Sequence, residues 1–226
     1  MKQRIRWFTL EAPGDALSGL GRRMLSDEYA EEKGGGFRIE IARRGETVGA
    51  FIERLESIEE VEDPFGRVLK FRRVEYSKVR FRLGGGRPNL ELVDPPRSCK
   101  SFFAKLGSLL KHELSVEPVR PNVPQWIKEV ERTVGRVRIT AMAVGNVTVS
   151  VTSSADIVLT GSDDVRAEMR NLLAGRRHVV AAATLEWGAR SAPIVCELSR
   201  NGANLSGDQG EDLVTALRTT LERSLD

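Results

Sequence analysis

The stretch from Gly66 to Leu83, GRVLKFRRVEYSKVRFRL, sorts its side chains by parity, as the side chains of a β-strand must. One parity is apolar and the other is cationic: Leu69, Phe71, Val79, Phe81 and Leu83 against Lys70, Arg72, Lys78, Arg80 and Arg82. The alternation weakens at residues 74–76, where we expect a break. The ribbon therefore has an apolar side and a cationic side, and a cationic sheet face attracts anionic partners.

The segments around this ribbon predict an α+β fold with antiparallel sheets. Apolar alternation predicts a hairpin of residues 37–41 and 47–55, and a second hairpin that turns at Gly145-Asn146. Apolar residues at helical spacing predict helices over residues 15–32 and from Ser98 to about residue 111. The expected architecture is two successive domains, each an antiparallel sheet with helices packed mainly on one face.

Prolines mark the expected domain boundary. The segment SVEPVRPNVP, residues 115–124, contains three prolines and is typical of a semi-rigid linker. We therefore predict a basic domain at residues 1–115, a linker at 116–124 and a second domain at 125–226. Both halves end in strand, turn, strand, short strand and helix, so an internal duplication and a chance repetition of common elements both stay open.

Charge is unevenly distributed along the chain. Residues 1–123 contain 23 Lys and Arg against 19 Asp and Glu, whereas residues 124–226 contain 12 against 13. The net charge is only +3. This balance permits nucleic acid, anionic lipid or an acidic protein as a partner and demands none of them.

Few residues are suited to catalysis. The two histidines, His112 and His178, are both placed where a surface role explains them. Cys99 lies at a predicted helix start beside cations that favour a thiolate, although a role as a small buried residue beneath the Pro95-Pro96 corner fits it as well; Cys196 is predicted to be a core residue. Two cysteines so far apart do not form a disulfide framework. We predict no enzyme activity.

Cofactor and metal motifs are missing from the sequence. Neither triple glycine is followed by Lys-Ser or Lys-Thr, and no GxGxxG connects a predicted strand to a helix. The acidic run at residues 56–63 lacks the spacing of a calcium loop, and a solvated loop explains it. No segment resembles a signal peptide or a membrane span, so we expect a cytosolic protein with no cofactor, no metal and no membrane partner.

The leading hypothesis is a non-enzymatic protein that binds DNA or RNA through the cationic face of the ribbon. Cations on alternate strand positions lie about 6 to 7 Å apart, close to the spacing of successive phosphates. The predicted site residues are Lys70, Arg72, Lys78, Arg80, Arg82 and Arg87. Tyr76 is the only candidate for base stacking, so sequence readout is expected to be weak.

Two alternatives stay open. The cations on the ribbon can be shielded by salt bridges to the acidic stretch at residues 53–62. Separately, the sheet edges and apolar helix faces suit a scaffold or assembly role, with self-association or binding of a protein partner and no nucleic-acid role, which is the competing function.

Overall fold

The computed structural model describes residues 2–43, 45–189, 192–206 and 210–225. Over these residues the chain is α+β, with five α-helices and one eleven-stranded antiparallel sheet, which confirms the α+β class; the finer expectation of two separate sheet domains stays a prediction. The described residues group into two compact units. The first unit is residues 8–117; the second is residues 2–7 together with residues 118–225. The proposed domain boundary and the duplication stay predictions.

The first unit contains a sheet in the order β2, β3, β4, β5, β1. Its strands are the last residues of β1 (Lys2–Glu11), then β2 (Gly35–Arg43), β3 (Glu46–Glu62), β4 (Val68–Leu83), β5 (Leu90–Val93) and β6 (Ser115–Pro118), which pairs with β1. Its helices are α1 (Leu20–Ser26), α2 (Lys100–Leu109) and a short 3-10 helix (Glu31–Lys33).

Aromatic residues form much of the core of the first unit. Phe102 of α2 lies against Phe51 of β3 and Phe81 of β4, with ring centroids 6.0 and 5.5 Å apart. Val79 and Leu83 are buried on the same face of β4 as Phe81. The apolar parity predicted for the ribbon therefore packs into a core, but only in the last third of the strand.

The second unit contains a sheet in the order β1, β11, β10, β9, β7, β8. Its elements after β1 are α3 (Val123–Val134), β7 (Arg138–Thr148), β8 (Ser154–Thr160), α4 (Arg166–Leu173), β9 (Val179–Ala189), β10 (Ala192–Ser199), β11 (Gly202–Ser206) and α5 (Gly210–Leu225).

Helices α3 and α5 supply the core of the second unit. Trp126 is fully buried, packs edge-to-face on Trp7 at 5.6 Å, and donates its indole N–H to Thr220 Oγ1 at 3.1 Å. Strand β1 pairs with β11 in close contact at Gly202, whose φ is +129°. A Cβ at that position would lie 2.1 Å from the carbonyl oxygen of Ile5, so only glycine fits.

Two sequence-based elements are wrong. The helix expected over residues 15–32 is confined to α1, and residues 35–43 and the bridge from Glu28 to Phe37 follow in extended backbone. The turn expected at Gly145-Asn146 is instead a bulge inside β7, where Asn146 has φ +54° and donates its N–H to Asp156 Oδ1 at 3.1 Å. A Gly-Asn pair accommodates positive φ, which a bulge requires as much as a turn does.

Candidate functional site

The basic ribbon is one strand of a long hairpin. Strands β3 and β4 pair from Thr47 opposite Leu83 to Glu62 opposite Val68 with no register shift, so the break expected at residues 74–76 is wrong. Among the described residues, β2 pairs with β3 no further than Glu53, and β5 pairs with β4 only from Arg80 onward. Residues 55–76 thus form a two-stranded ribbon with both edges unpaired, here called the hairpin arm.

A compact turn closes the hairpin arm. The carboxylate of Asp63 accepts hydrogen bonds from the backbone N–H groups of Phe65 and Arg67 at 2.8 and 2.9 Å. Gly66 has φ +80°, and its N–H donates to the carbonyl oxygen of Asp63. This Asx-type turn presents Phe65 to solvent, where 87% of the residue is exposed.

Two of the predicted site residues lie on the hairpin arm, and both are paired with glutamates of β3. Lys70 Nζ lies 2.6 Å from Glu60 Oε1, and Arg72 Nε donates to Glu56 Oε2 at 2.9 Å. These ion pairs confirm the shielding that the sequence offered as an alternative for these two cations. All four side chains are exposed, so each pair contributes roughly 0 to 1 kcal/mol.

The other predicted site residues lie nearer to the core. Arg80 pairs with Asp94, Arg82 Nε donates to Glu46 Oε1 at 2.7 Å, and Arg87 lies 2.6 Å from Glu11. Lys78 is exposed and makes no ion pair with any described residue. Five of the six predicted cations therefore have a carboxylate partner within the chain.

Glu46 accepts hydrogen bonds from two arginines. Hydrogen bonds from Arg43 and then from Arg82 lower its pKa below the usual value of 4.5. The carboxylate therefore stays ionised into the acid range, and it keeps Arg82 on the cationic face of β4.

The acidic run at residues 56–63 is not the solvated loop expected from the sequence. Residues 56–62 form the outer half of β3, directly opposite the basic half of β4. Opposite charges on facing strand positions stabilise the pairing by roughly 0.2 to 1 kcal/mol each. Glutamate by itself disfavours β-strands. The strand conformation of residues 56–62 therefore depends on pairing with β4, which is in place only once the hairpin forms.

Exposed apolar residues are concentrated on the hairpin arm. Of the seventeen large apolar side chains that are exposed among the described residues, nine belong to the arm: Leu55, Ile58, Val61, Phe65, Val68, Leu69, Phe71, Val74 and Tyr76. Because directly paired residues share a face, Val61 lies beside Leu69 on one face, whereas Ile58 lies on the other, opposite Arg72. Both faces of the arm are therefore apolar and charged in alternation.

Sequence reasoning missed this two-sided apolar surface, although a signal for it was present. Val68, Val74 and Tyr76 have the parity of the cations, so apolar residues occupy both parities at residues 68–76. A strand of this kind has no single face to bury, and its apolar side chains on both faces of the arm stay exposed; Tyr76, at the base of the arm, lies 3.4 Å from Glu31.

The candidate catalytic residues do not come together. Cys99 is the N-cap residue of α2 and is half-buried, with Sγ 3.9 Å from the carbonyl oxygen of Pro96. Cys196 is fully buried, and burial raises the pKa of its thiol. His112 follows α2 with φ +65°, and the Nδ1 atom of His178 lies 2.8 Å from the carbonyl oxygen of Arg176.

A charged cavity of about 360 Å³ lies in the second unit and is lined by residues of both signs. Arg138 Nη2 lies 2.5 Å from Glu186 Oε2. Burial on its own raises the pKa of Asp164, but hydrogen bonds from Arg166 outweigh it, and the pKa lies below its usual range. This cavity has the character of a structural ion-pair network.

No grouping of three His, Cys, Asp or Glu side chains suited to a metal occurs within the described ranges. None of the helices over those ranges has the length and apolarity to cross a bilayer. The sequence matches no protein-family model, and it is similar to no curated protein.

Proposed function

We propose that this protein is a non-enzymatic assembly protein that associates with further copies of itself through the hairpin arm. The observation that carries the proposal is the exposure of nine large apolar side chains on a two-stranded ribbon with two unpaired edges. An exposed apolar patch rimmed by charge is typical of a protein interface. A strand edge with free N–H and C=O groups is a template for another strand. The cytosolic location predicted from the sequence stays a prediction.

The charges of the hairpin arm favour a second copy as the partner. The β3 side is acidic and the β4 side is basic: Glu56, Glu59, Glu60 and Glu62 against Arg67, Lys70, Arg72 and Arg73. When the β3 edge of one arm adds to the β4 edge of another, each acidic strand gains a basic neighbour. A partner of uniform charge would match only one of the two edges.

The length of the hairpin arm is sufficient for strand addition. Eight residues of β3, Leu55 to Glu62, extend about 27 Å at the usual strand rise. Strand addition of this kind takes its affinity from main-chain hydrogen bonds and its specificity from alternate side chains. Edge pairing also buries apolar side chains on both faces, next to those of the neighbouring arm.

Light scattering after size exclusion, over a range of protein concentrations, tests this proposal. The wild-type mass should exceed the 25.0 kDa of one chain, and the double variant Ile58→Ser/Phe71→Ser, with one change on each face, should return to it. The matched control is Val151→Ser/Val158→Ser, which removes two exposed apolar side chains outside the arm and should keep the wild-type mass. A wild-type mass of 25.0 kDa up to about 0.5 mM would contradict self-association.

Nucleic-acid binding is the second candidate, and one observation favours it. Lys70, Arg72, Lys78, Arg80 and Arg82 have one parity on one unbroken strand and so share a face, in two groups separated by Val74 and Tyr76. Exposed ion pairs are weak, so phosphate oxygens can replace the carboxylates of this chain. Arg87, exposed beside Glu11, extends the cationic set beyond β4.

A salt titration with mixed-sequence single- and double-stranded oligonucleotides tests the second candidate. Binding through these cations should weaken as salt rises, with a log-log slope of about −3 or steeper. The charge reversals Arg80→Glu and Arg82→Glu should abolish it, whereas Arg170→Glu and Arg223→Glu, on exposed helix positions of the second unit, should retain the slope. Absence of binding at low salt would rule out the nucleic-acid hypothesis.

A further inference from the structure

A second cavity in the second unit, of about 390 Å³, is lined by cationic side chains. The segment before α3 contributes Arg120 and Asn122, the start of β9 contributes His178, and the turn after β10 contributes Arg200. These residues are distant in sequence; the pairing of β9 with β10 brings His178 near Arg200, and the segment before α3 adds Arg120 and Asn122.

The cations of this cavity lack the internal partners that most cations of the candidate β4 surface have. Arg120 and Arg200 are exposed, and neither forms an ion pair with a described residue. No carboxylate is among the described residues that line the cavity. The 360 Å³ cavity differs in this respect, because Asp163, Asp164 and Glu186 line it together with its arginines.

Main-chain hydrogen bonds hold the cationic residues in place. The N–H of Arg200 donates to the carbonyl oxygen of Ala181 at 3.2 Å, which fixes the turn against β9. The carbonyl oxygen of Arg177 accepts from the N–H of Thr148 at 3.1 Å, which anchors the residue before His178. Since Nδ1 of His178 lies 2.8 Å from a carbonyl oxygen, it must donate its proton there, and Nε2 is the nitrogen left for a ligand.

The amino terminus of α3 adds a smaller contribution of the same sign. Asn122 caps this twelve-residue helix, with its side chain accepting from the N–H of Gln125 at 3.3 Å. The positive end of the helix dipole therefore lies beside the cavity that the two arginines line.

We propose that this cavity binds a small molecule bearing a phosphate ester or a pyrophosphate group. Two guanidinium groups are suited to phosphate because each offers a rigid fork of donors, and they stay charged at every physiological pH. A volume of about 390 Å³ lies within the range of small-molecule sites. The ligand would thus extend beyond the phosphate group toward Val179 and Val180, the apolar lining of the cavity. This site is independent of the hairpin arm.

Isothermal titration calorimetry with pyrophosphate tests the proposal, with glucose 6-phosphate and adenosine monophosphate as phosphate-ester probes. Wild-type protein should bind at least one probe saturably at physiological salt. Because a hydrogen bond to a charged group contributes about 1.5 to 3 kcal/mol, Arg120→Gln and Arg200→Gln should each weaken binding about tenfold or more. Arg223→Gln, on an exposed face of α5 away from the cavity, is the matched control and should bind as wild type does.

Two results would overturn the proposal. One is the absence of saturable binding of all three probes up to about 10 mM. The other is binding that persists unchanged in the Arg120→Gln/Arg200→Gln double variant, which would place the anion elsewhere on the chain. Both arginines are exposed, so the variants are expected to fold, and far-UV circular dichroism verifies this.

Discussion

Removing the hairpin arm should leave both units folded. The shortened chain joins Leu55 to Glu75, which are directly paired, through a two-residue Asn-Gly turn. Successive residue pairs in an antiparallel ladder alternate between hydrogen-bonded and non-hydrogen-bonded geometry. A two-residue turn can close only one of these two kinds of pair. A second version that joins Arg54 to Tyr76 provides the other geometry.

The expected loss of stability is small because the deleted residues pair mainly across the hairpin, and Tyr76, which lies 3.4 Å from Glu31, is kept in both shortened chains. Each exposed ion pair contributes roughly 0 to 1 kcal/mol, and an isolated two-stranded hairpin is only marginally stable. Ordering of the arm costs conformational entropy, which the shortened chain no longer loses. We expect the free energy of unfolding to change by no more than about 1 kcal/mol. Phe102→Ala, which removes a fully buried ring from the first core, should cost about 3 to 5 kcal/mol.

Thermal unfolding followed by circular dichroism measures both effects. For a chain of this size about 1 kcal/mol corresponds to about 2 to 4 °C, so the arm deletion and Phe102→Ala are readily separated. The measurement should be made at about 1 μM protein, where association contributes least. A loss of stability in both shortened chains that approaches that of Phe102→Ala would refute the reasoning, because it would mean that the arm packs against a unit.

Three further substitutions test other contacts. Glu46→Gln should lower the free energy of unfolding by about 1 kcal/mol near neutral pH. Two arginines lower the pKa of Glu46 in the folded state, so its stabilising contribution is complete above pH 4.5. The difference from wild type, measured by urea titration, should vanish as the pH falls through that lowered pKa. Gly202→Ala should destabilise by about 2 kcal/mol or more, measured by urea unfolding, because its Cβ would collide with the carbonyl oxygen of Ile5; an unchanged midpoint would disprove that contact. Thr220→Val should cost about 1 to 3 kcal/mol by leaving the buried indole N–H of Trp126 without an acceptor, and an unchanged tryptophan emission with no loss of stability would count against this hydrogen bond.

Local sequence patterns were sufficient for the α+β class and for most of the elements. Period-two alternation identified β4, and helical spacing identified α2 and α5. These signals are reliable because they reflect which side of an element is buried, and Phe81 and Phe102 are indeed buried together. A sequence pattern that is compatible with two structures led to a wrong prediction. At Gly145-Asn146 we expected a hairpin turn, but the positive φ of Asn146 belongs to a β-bulge.

The candidate site depended on contacts that no local pattern contains. Parity placed Lys70 and Arg72 on one face of a strand, but it did not show that Glu60 and Glu56 face them across the hairpin. Nor did it show where β2 and β5 stop pairing, which leaves the outer hairpin uncovered. The cationic cavity was likewise invisible, because Arg120 and Arg200 are eighty residues apart in sequence.

The sequence by itself determined the α+β class, the cationic parity of β4 and the burial of Val79, Phe81 and Leu83 in the core. Only the tertiary structure decided that β1 joins β11, so that Ile5 and Trp7 pack with residues of the second unit almost two hundred positions away. It also decided that the inner half of the β3–β4 hairpin pairs with neighbouring strands, whereas the outer half, the hairpin arm, does not. The physical reason is that strand pairing and burial depend on neighbours distant in the chain, whereas propensity and periodicity report only on adjacent residues.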